Sequence, residues 1–239
     1  MADTALTFER YEYKYAIKPD VFAAFWRELE PYVMPDRFFQ STVCSIYYDT
    51  PDYRLIRASV EGPVFKEKLR LRTYNVPAPD GEAFVELKRK YDGLVYKRRA
   101  AMPLNLAEAY LAGEGRPPAE NQITREIDYF LRQYELQPAI LIAYDRKAYV
   151  SRENPNLRLT FDHSIRWRED DLHLSHGDHG TPLMPNGEVL MELKLPGAAP
   201  LWLAHLLSKH GIFPRGFSKY GFCYKNNLYL KALAGFEFK

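Results

Sequence analysis

Residues 65–74 read Phe-Lys-Glu-Lys-Leu-Arg-Leu-Arg-Thr-Tyr. Side chains alternate across a β-strand. Lys66, Lys68, Arg70 and Arg72 therefore share one face, and Leu69 and Leu71 share the other. The pattern recurs along the chain. Glu86, Lys88 and Lys90 oppose Val85 and Leu87; Arg158, Thr160 and Asp162 oppose Leu157, Leu159 and Phe161; Glu192 and Lys194 oppose Met191, Leu193 and Leu195. Arg10, Glu12 and Lys14 share a face, as do Tyr144 and Arg146, while Lys97 and Arg99 point one way and Arg98 the other. Antiparallel sheets commonly have one wet face, but like charges opposite one another destabilise a sheet. The pattern alone leaves two readings open: a solvated charged face, or a face built around a bound polyanion.

The net charge is only +2, so a polyanion site has to come from local segregation of charge. A hydrophobic fraction of 46% and an aromatic fraction of 15% predict a packed globular protein. Cys44 and Cys223 lie in unrelated segments without metal-ligand spacing, which reads as a reducing compartment. Residues 1–10 hold acids and no apolar run, so they do not read as a signal peptide. No stretch approaches the roughly 20 apolar residues that span a bilayer. The expectation is a cytoplasmic protein with no membrane span of its own, and a membrane partner stays open.

Periodicity predicts strands at 10–17, 43–49, 65–74, 83–90, 94–102, 139–150, 156–161, 163–174 and 188–195. Helices are predicted at 19–32, 51–58, 106–111, 123–134, 200–210 and 217–233. Residues 75–81 and Asp92-Gly93 supply turns, and 113–119 and 175–187 read as loops. No linker interrupts the chain, so residues 1–239 are expected to form one α+β domain. A sheet apolar outside and charged inside, with amphipathic helices around it, predicts an antiparallel β-barrel tunnel with a charged interior. A dry core of lysines is prohibitively unfavourable, so that interior must be hydrated or hold ligand.

Such a face suits phosphoryl transfer, which needs cations to neutralise oxygens and a metal to bridge phosphates. Arg70, Arg72, Arg146 and Arg158 offer forks for phosphate oxygens, and Lys14, Lys88 and Lys219 offer point charges. Glu192, with Glu12 and Glu86, are the candidates to hold Mg²⁺ or Mn²⁺, hard ions that prefer oxygen. Each acid has an alternative role as the charge partner of a neighbouring lysine. His173, His176 and His179 beside Asp170, Asp171 and Asp178 read as a solvated loop, with a transition-metal site as the alternative. Ser151 and Ser164 lack the setting of a hydrolase nucleophile, and no phosphate-binding glycine loop is present. Tyr11, Tyr13 and Tyr15 lie opposite the charged face and read as packing residues, so no nucleic acid partner is expected.

Eight short motifs occur in one order: Tyr13-Lys14-Tyr15, Ser45-Ile46-Tyr47-Tyr48-Asp49, Lys68-Leu69-Arg70-Leu71-Arg72, Val85-Glu86-Leu87-Lys88, Tyr144-Asp145-Arg146, Leu157-Arg158-Leu159-Thr160-Phe161-Asp162, Met191-Glu192-Leu193-Lys194 and Phe217-Ser218-Lys219-Tyr220. Over nearly its whole length the chain resembles the VTC domain, the catalytic domain of the vacuolar transporter chaperone polyphosphate polymerases. That family sits among the triphosphate tunnel metalloenzymes, alongside CYTH-type triphosphatases and adenylyl cyclases. The resemblance implies an antiparallel barrel tunnel, a Mn²⁺ or Mg²⁺ requirement, and transfer of the ATP γ-phosphate onto a growing polyphosphate chain. It implies that Lys14, Arg70, Arg72, Lys88, Arg146, Arg158 and Lys219 act on the triphosphate or product chain and that Glu192 holds the metal. Lys68, Lys194 and Ser218 join them as substrate contacts, together with Arg98, for which strand parity makes Lys97 an alternative.

Two departures bear on the activity. The CYTH signature is Glu-x-Glu-x-Lys, and here it reads Arg10-Tyr11-Glu12-Tyr13-Lys14. The missing first acid fits the VTC pattern better than a standard triphosphatase. Gly216 stands where the family usually has a basic residue before Phe217-Ser218-Lys219, with Arg215 one step earlier. No SPX-like region or membrane helix accompanies the motifs, so inositol-phosphate control and coupled translocation are not expected. Hydrolysis of triphosphate or polyphosphate, or polyphosphate binding without chemistry, are the alternative activities.

Overall fold

The structure, a computed structural model, describes residues 11–92, 94–184 and 186–229. Strand β1 (Tyr11–Ile17) leads into helix α1 (Pro19–Leu29), where Pro19 occupies the first turn and forfeits no intrahelical bond. A 3₁₀ turn (Glu30–Tyr32) joins α1 to the long strand β2 (Val33–Asp49). Helix α2 (Arg54–Glu61) and strands β3 (Phe65–Tyr74), β4 (Glu82–Tyr91) and β5 (Leu94–Pro103) follow. Then come α3 (Leu104–Leu111), α4 (Gln122–Gln133), β6 (Gln137–Ser151) and β7 (Arg158–Arg168). The chain continues with β8 (Thr181–Pro182), β9 (Val189–Leu195), α5 (Leu201–Lys209) and α6 (Lys219–Cys223), which passes into a π-helical turn at Tyr224–Leu228.

The described residues fall into two compact units. The first lies within Met1–Ser41, Asp145–Ser164 and Met184–Phe217, and the second within Thr42–Tyr144, Ile165–Leu183 and Ser218–Lys239. Strands β2, β6 and β7 each begin in one unit and end in the other.

In the first unit β9 pairs antiparallel with β1 and with β7. Tyr15, Ile17, Leu159, Phe161, Met191, Leu193 and Leu195 turn to one side of these strands and pack on Phe25 and Leu29 of α1 and Leu203 of α5. Helices α1 and α5 are also tied by Glu28, which accepts from Lys209 at 2.7 Å. In the second unit β3 pairs antiparallel with β2 and β4, and β4 with β5. Ile46, Leu69, Leu71, Val85, Leu87 and Ala100 form its core with Leu104 and Ala107 of α3 and Ile127 and Phe130 of α4. Asn121 starts α4 with a capping box, exchanging side-chain and backbone bonds with Thr124.

The elements agree with the periodicity except where local chemistry is overridden. Helix α2 starts at Arg54, not at 51. Its first N–H groups are taken by Asp49, which accepts from Leu55 at 2.8 Å and Ile56 at 3.0 Å, and by Thr50 Oγ1, which accepts from Arg54 at 2.9 Å. Strand β2 begins ten residues before the predicted 43: Met34-Pro35-Asp36-Arg37, to which the periodicity assigns no element, runs extended. The strands predicted at 156–161 and 163–174 are one strand, β7, that stops at Arg168. Ser164 lies within it at a φ of +47°. The helix predicted at 19–32 ends at Leu29, and the one predicted at 217–233 starts at Lys219. Arg10, Gly93, Pro185 and residues 230–233, which entered those expectations, lie outside the described residues. No described helix is long and apolar enough to cross a membrane.

Candidate functional site

The second unit carries the denser cluster. The register sets Arg70, Glu86 and Arg99 in one row across β3, β4 and β5, and Lys68, Lys88 and Lys97 in the next. The lysine row is the like-charge arrangement that a sheet ordinarily avoids. Glu86 lies between cations and is only 1% exposed. Its Oε2 accepts from Arg70 Nε at 2.7 Å and stands 4.0 Å from Arg72 Nε. Its Oε1 meets Lys97 Nζ at 2.7 Å and Arg99 Nε at 2.6 Å. Burial pushes the Glu86 carboxyl up, but Arg70, Arg72 and Lys97 outweigh it and hold the group well below the usual carboxylate range.

Around this core stand polar groups from further strands. Arg72, buried, donates from Nε to Ser45 Oγ at 3.0 Å and from Nη2 to the Tyr144 hydroxyl at 3.2 Å. Arg70 Nη1 donates to the Tyr47 hydroxyl at 3.3 Å. Burial raises the Tyr47 pKa, but Arg70 and Arg72, with Lys68, bring it down to about 7. Lys68 Nζ donates to Ser218 Oγ at 3.0 Å, and Lys219 Nζ sits 4.1 Å from the centre of the Tyr144 ring. Tyr220, next in the chain, stacks on Tyr47 and donates to buried Asp49 at 2.9 Å. The Asp49 carboxylate that caps α2 thus also anchors the segment bearing Ser218 and Lys219.

Parity separates Lys97 from Arg98. Lys97 joins Glu86, whereas Arg98 turns to the helix-covered side and donates from Nε to Glu126 of α4 at 3.0 Å. Arg89 and Glu67 share that side, 2.7 Å apart. Arg98 is therefore outside the cluster that holds Arg70, Arg72 and Lys97.

The first unit carries a second polar face. The register places Lys14 opposite Glu192, Glu12 opposite Lys194, Thr160 opposite Glu192 and Arg158 opposite Lys194. Glu192 contacts Lys194 at 3.0 Å, and Glu12 contacts Lys14 at 3.2 Å. Burial pushes the Glu192 carboxyl up, yet Lys194, Lys14 and Arg146 hold it far below its ordinary value. Arg146 forks onto Asp162, Nε to Oδ1 at 2.6 Å and Nη2 to Oδ2 at 2.9 Å. Arg158 Nη2 pairs with Asp36 of the unforeseen stretch of β2 at 2.7 Å. Lys14 Nζ donates to the Phe217 carbonyl at 3.3 Å, and its own carbonyl accepts from Arg215 N–H at 2.8 Å.

The sequence reading missed Tyr47 as a member of the second-unit cluster and gave Arg99, Tyr144 and Ser45 no role. The periodicity held the signal, since Ser45 and Tyr47 share a face in β2. The histidine segment 173–179 is a loop with a 3₁₀ turn at Leu174–His176. Arg168 clamps it, donating to the carbonyls of Asp171, His173, Gly177 and His179. Among the described residues no three His, Cys, Asp or Glu side chains are gathered to hold a metal ion. A Mg²⁺ or Mn²⁺ ion needs no such cage, since one carboxylate, substrate phosphates and water can complete its shell. Partly buried Glu192, held ionised by its cationic neighbours, has the chemistry such a role needs.

The family described as VTC domain matches residues 9–227. No curated protein matches the chain. Among solved structures, a candidate adenylate cyclase from Bacillus halodurans is 15% identical with a TM-score of 0.53, covering 87% of this chain and 92% of its own. A candidate adenylyl cyclase from Hippeastrum, described as having a dominant triphosphatase activity, is also 15% identical with a TM-score of 0.53, covering 89% of this chain and 93% of its own. At that identity the likeness is one of fold. It places the chain in the antiparallel, sheet-rich α+β architecture of these two structures, the fold class its strand pattern predicts.

Proposed function

The chain belongs to the VTC domain family, and on that premise we propose that it is a metal-dependent polyphosphate polymerase that transfers the γ-phosphate of ATP to a growing polyphosphate chain. One observation carries the reading. Lys68, Lys88 and Lys97 stand directly opposite one another across three strands, beside a row in which Glu86 balances Arg70 and Arg99. A bound polyphosphate group offsets that repulsion, and a neutral ligand does not.

In this reading Arg70, Arg72, Lys88 and Lys219 of the second unit grip the triphosphate, with Lys68, Lys97 and Ser218 as further contacts. Lys14, Arg146, Arg158 and Lys194 of the first unit act on phosphoryl groups of the substrate or product. Glu192 is the protein ligand of Mn²⁺ or Mg²⁺. When bound, that ion neutralises phosphate oxygens as charge builds on them. Glu86 and Glu12 serve as charge partners, because Glu86 is already saturated by cations and Glu12 pairs with Lys14. Arg98 is left out because its charge is engaged by Glu126.

The departure at Arg10 supports polymerisation over hydrolysis, since the CYTH signature has an acid there. The test is incubation of the purified protein with ATP and Mn²⁺, followed by a gel for long anionic chains and an assay for free phosphate. Long chains are the expected product. Free phosphate without polymer would replace the reading with hydrolysis. Tight polyphosphate binding with neither product would leave a binding module.

A further inference from the structure

Two polar atoms on the first-unit face lack partners. Thr160 Oγ1 and Arg158 Nε are both buried without a hydrogen bond. Thr160 is 4% exposed. Leaving a buried hydroxyl or guanidinium N–H unpaired is unfavourable in a folded protein, and such groups usually mark an absent partner. Both belong to β7, two residues apart, so both side chains leave the same face of the strand about 6.8 Å apart. The register places Arg158 across from Lys194 and Thr160 across from Glu192, which is itself opposite Lys14. The two orphan groups are therefore bordered by lysines, and the neighbouring carboxylates are already engaged: Glu192 with Lys194 at 3.0 Å, Asp162 with Arg146 at 2.6 Å and Asp36 with Arg158 Nη2 at 2.7 Å.

From this arrangement we infer that Thr160 is a further substrate-binding residue: its hydroxyl, with Arg158 Nε, forms a donor pair for the oxygens of one phosphoryl segment of a linear phosphate chain. The inference rests on the polyphosphate reading above and adds to it a neutral donor that the charge pattern does not reveal. A hydroxyl can donate to an anion without adding to the repulsion among Lys14, Lys194 and Arg158. Arg158 keeps its Nη2 on Asp36, at 2.7 Å, while its Nε is the buried donor without a partner.

The test compares the full chain with Thr160→Val and Thr160→Ser. Tripolyphosphate binding is measured by calorimetry without metal, and thermal melting is measured without ligand. The wild type is expected to bind, Thr160→Val to bind at least about tenfold more weakly, and Thr160→Ser to bind nearly as the wild type does. Unliganded Thr160→Val is expected to melt at or above the wild-type temperature, because the substitution removes an unsatisfied buried hydroxyl. Equal binding by wild type and Thr160→Val would overturn the inference and leave the polyphosphate reading standing. A lower unliganded melting temperature for Thr160→Val would overturn it as well, showing a hydroxyl engaged in the fold. No tripolyphosphate binding by the wild type would overturn the polyphosphate reading, and this inference with it.

Discussion

Arg70 and Glu86 are joined by a fork in which one carboxylate oxygen, Oε2, accepts from Nε at 2.7 Å and lies 2.6 Å from Nη2. The opposite oxygen of the same carboxylate is taken by Arg99 and Lys97. One buried acid thus holds a surface of cations together. Glu86→Gln is expected to destabilise the protein by roughly 3–5 kcal/mol, because it leaves buried cations without their counter-charge. Chemical denaturation measures the loss, and tripolyphosphate is expected to restore part of it. A near-neutral Glu86→Gln would show that these cations need no internal partner.

The same pair sets an acid limit on stability. The Glu86 pKa is depressed in the folded state. Its contribution is therefore complete above the usual carboxylate range and is lost as the pH falls through the depressed value. Glu86→Gln is expected to flatten the fall in stability on acidification, read from melting temperatures across that range. An unchanged acid slope would rule out Glu86 as its source.

Arg70→Ala and Arg72→Ala are expected to weaken ATP binding and turnover together. The loss of a hydrogen bond to a charged group is worth about 1.5–3 kcal/mol, or roughly 10- to 150-fold in affinity. Arg98→Ala is expected to leave ATP affinity unchanged, since Arg98 faces Glu126 on the helix-covered side. Equal losses at Arg98 and Arg70 would contradict the separation of the two faces.

Glu192→Gln is expected to abolish metal-dependent turnover and to weaken Mn²⁺ binding in the presence of tripolyphosphate, while Glu86→Gln leaves that binding intact. Magnetic resonance of Mn²⁺ reports both. A fully active Glu192→Gln would remove Glu192 from the metal assignment.

Tyr47 gives a pH signature near neutrality. Its folded pKa is about 7 against an ordinary value of 10.0. Between those values the folded state is ionised while the unfolded state is not, so stability from this group rises with pH and is lost as the pH falls through about 7. Phenolate formation places a negative charge on Arg70, so tripolyphosphate affinity is expected to fall over the same range. Tyr47→Phe should remove a phenolate absorbance step near neutral pH and flatten the affinity profile. Persistence of the step in Tyr47→Phe would assign it to another tyrosine.

The strands that carry the site were legible because their alternation is local. Leu69 and Leu71 are fully buried, as are Leu159 and Met191, and the cations beside them in sequence take the opposite side. The long start of β2 was not legible, because Pro35 removes a backbone donor and Met34-Pro35-Asp36-Arg37 shows no two-residue alternation. The break expected after Phe161 is not there, since Asp162 and His163 continue one strand through to Arg168.

By itself the sequence determined which residues share a strand face, because that depends only on the two-residue period of the backbone. It also determined the helices that cover the apolar faces and the family to which the chain belongs. The tertiary structure decided what each charge meets. Glu86 gathers Arg70, Arg72, Lys97 and Arg99, whereas Glu126 takes Arg98, and Thr160 keeps a buried hydroxyl without a partner. These outcomes depend on register between segments far apart in the chain and on which atoms lose water there. Neither is set by the order of neighbouring residues.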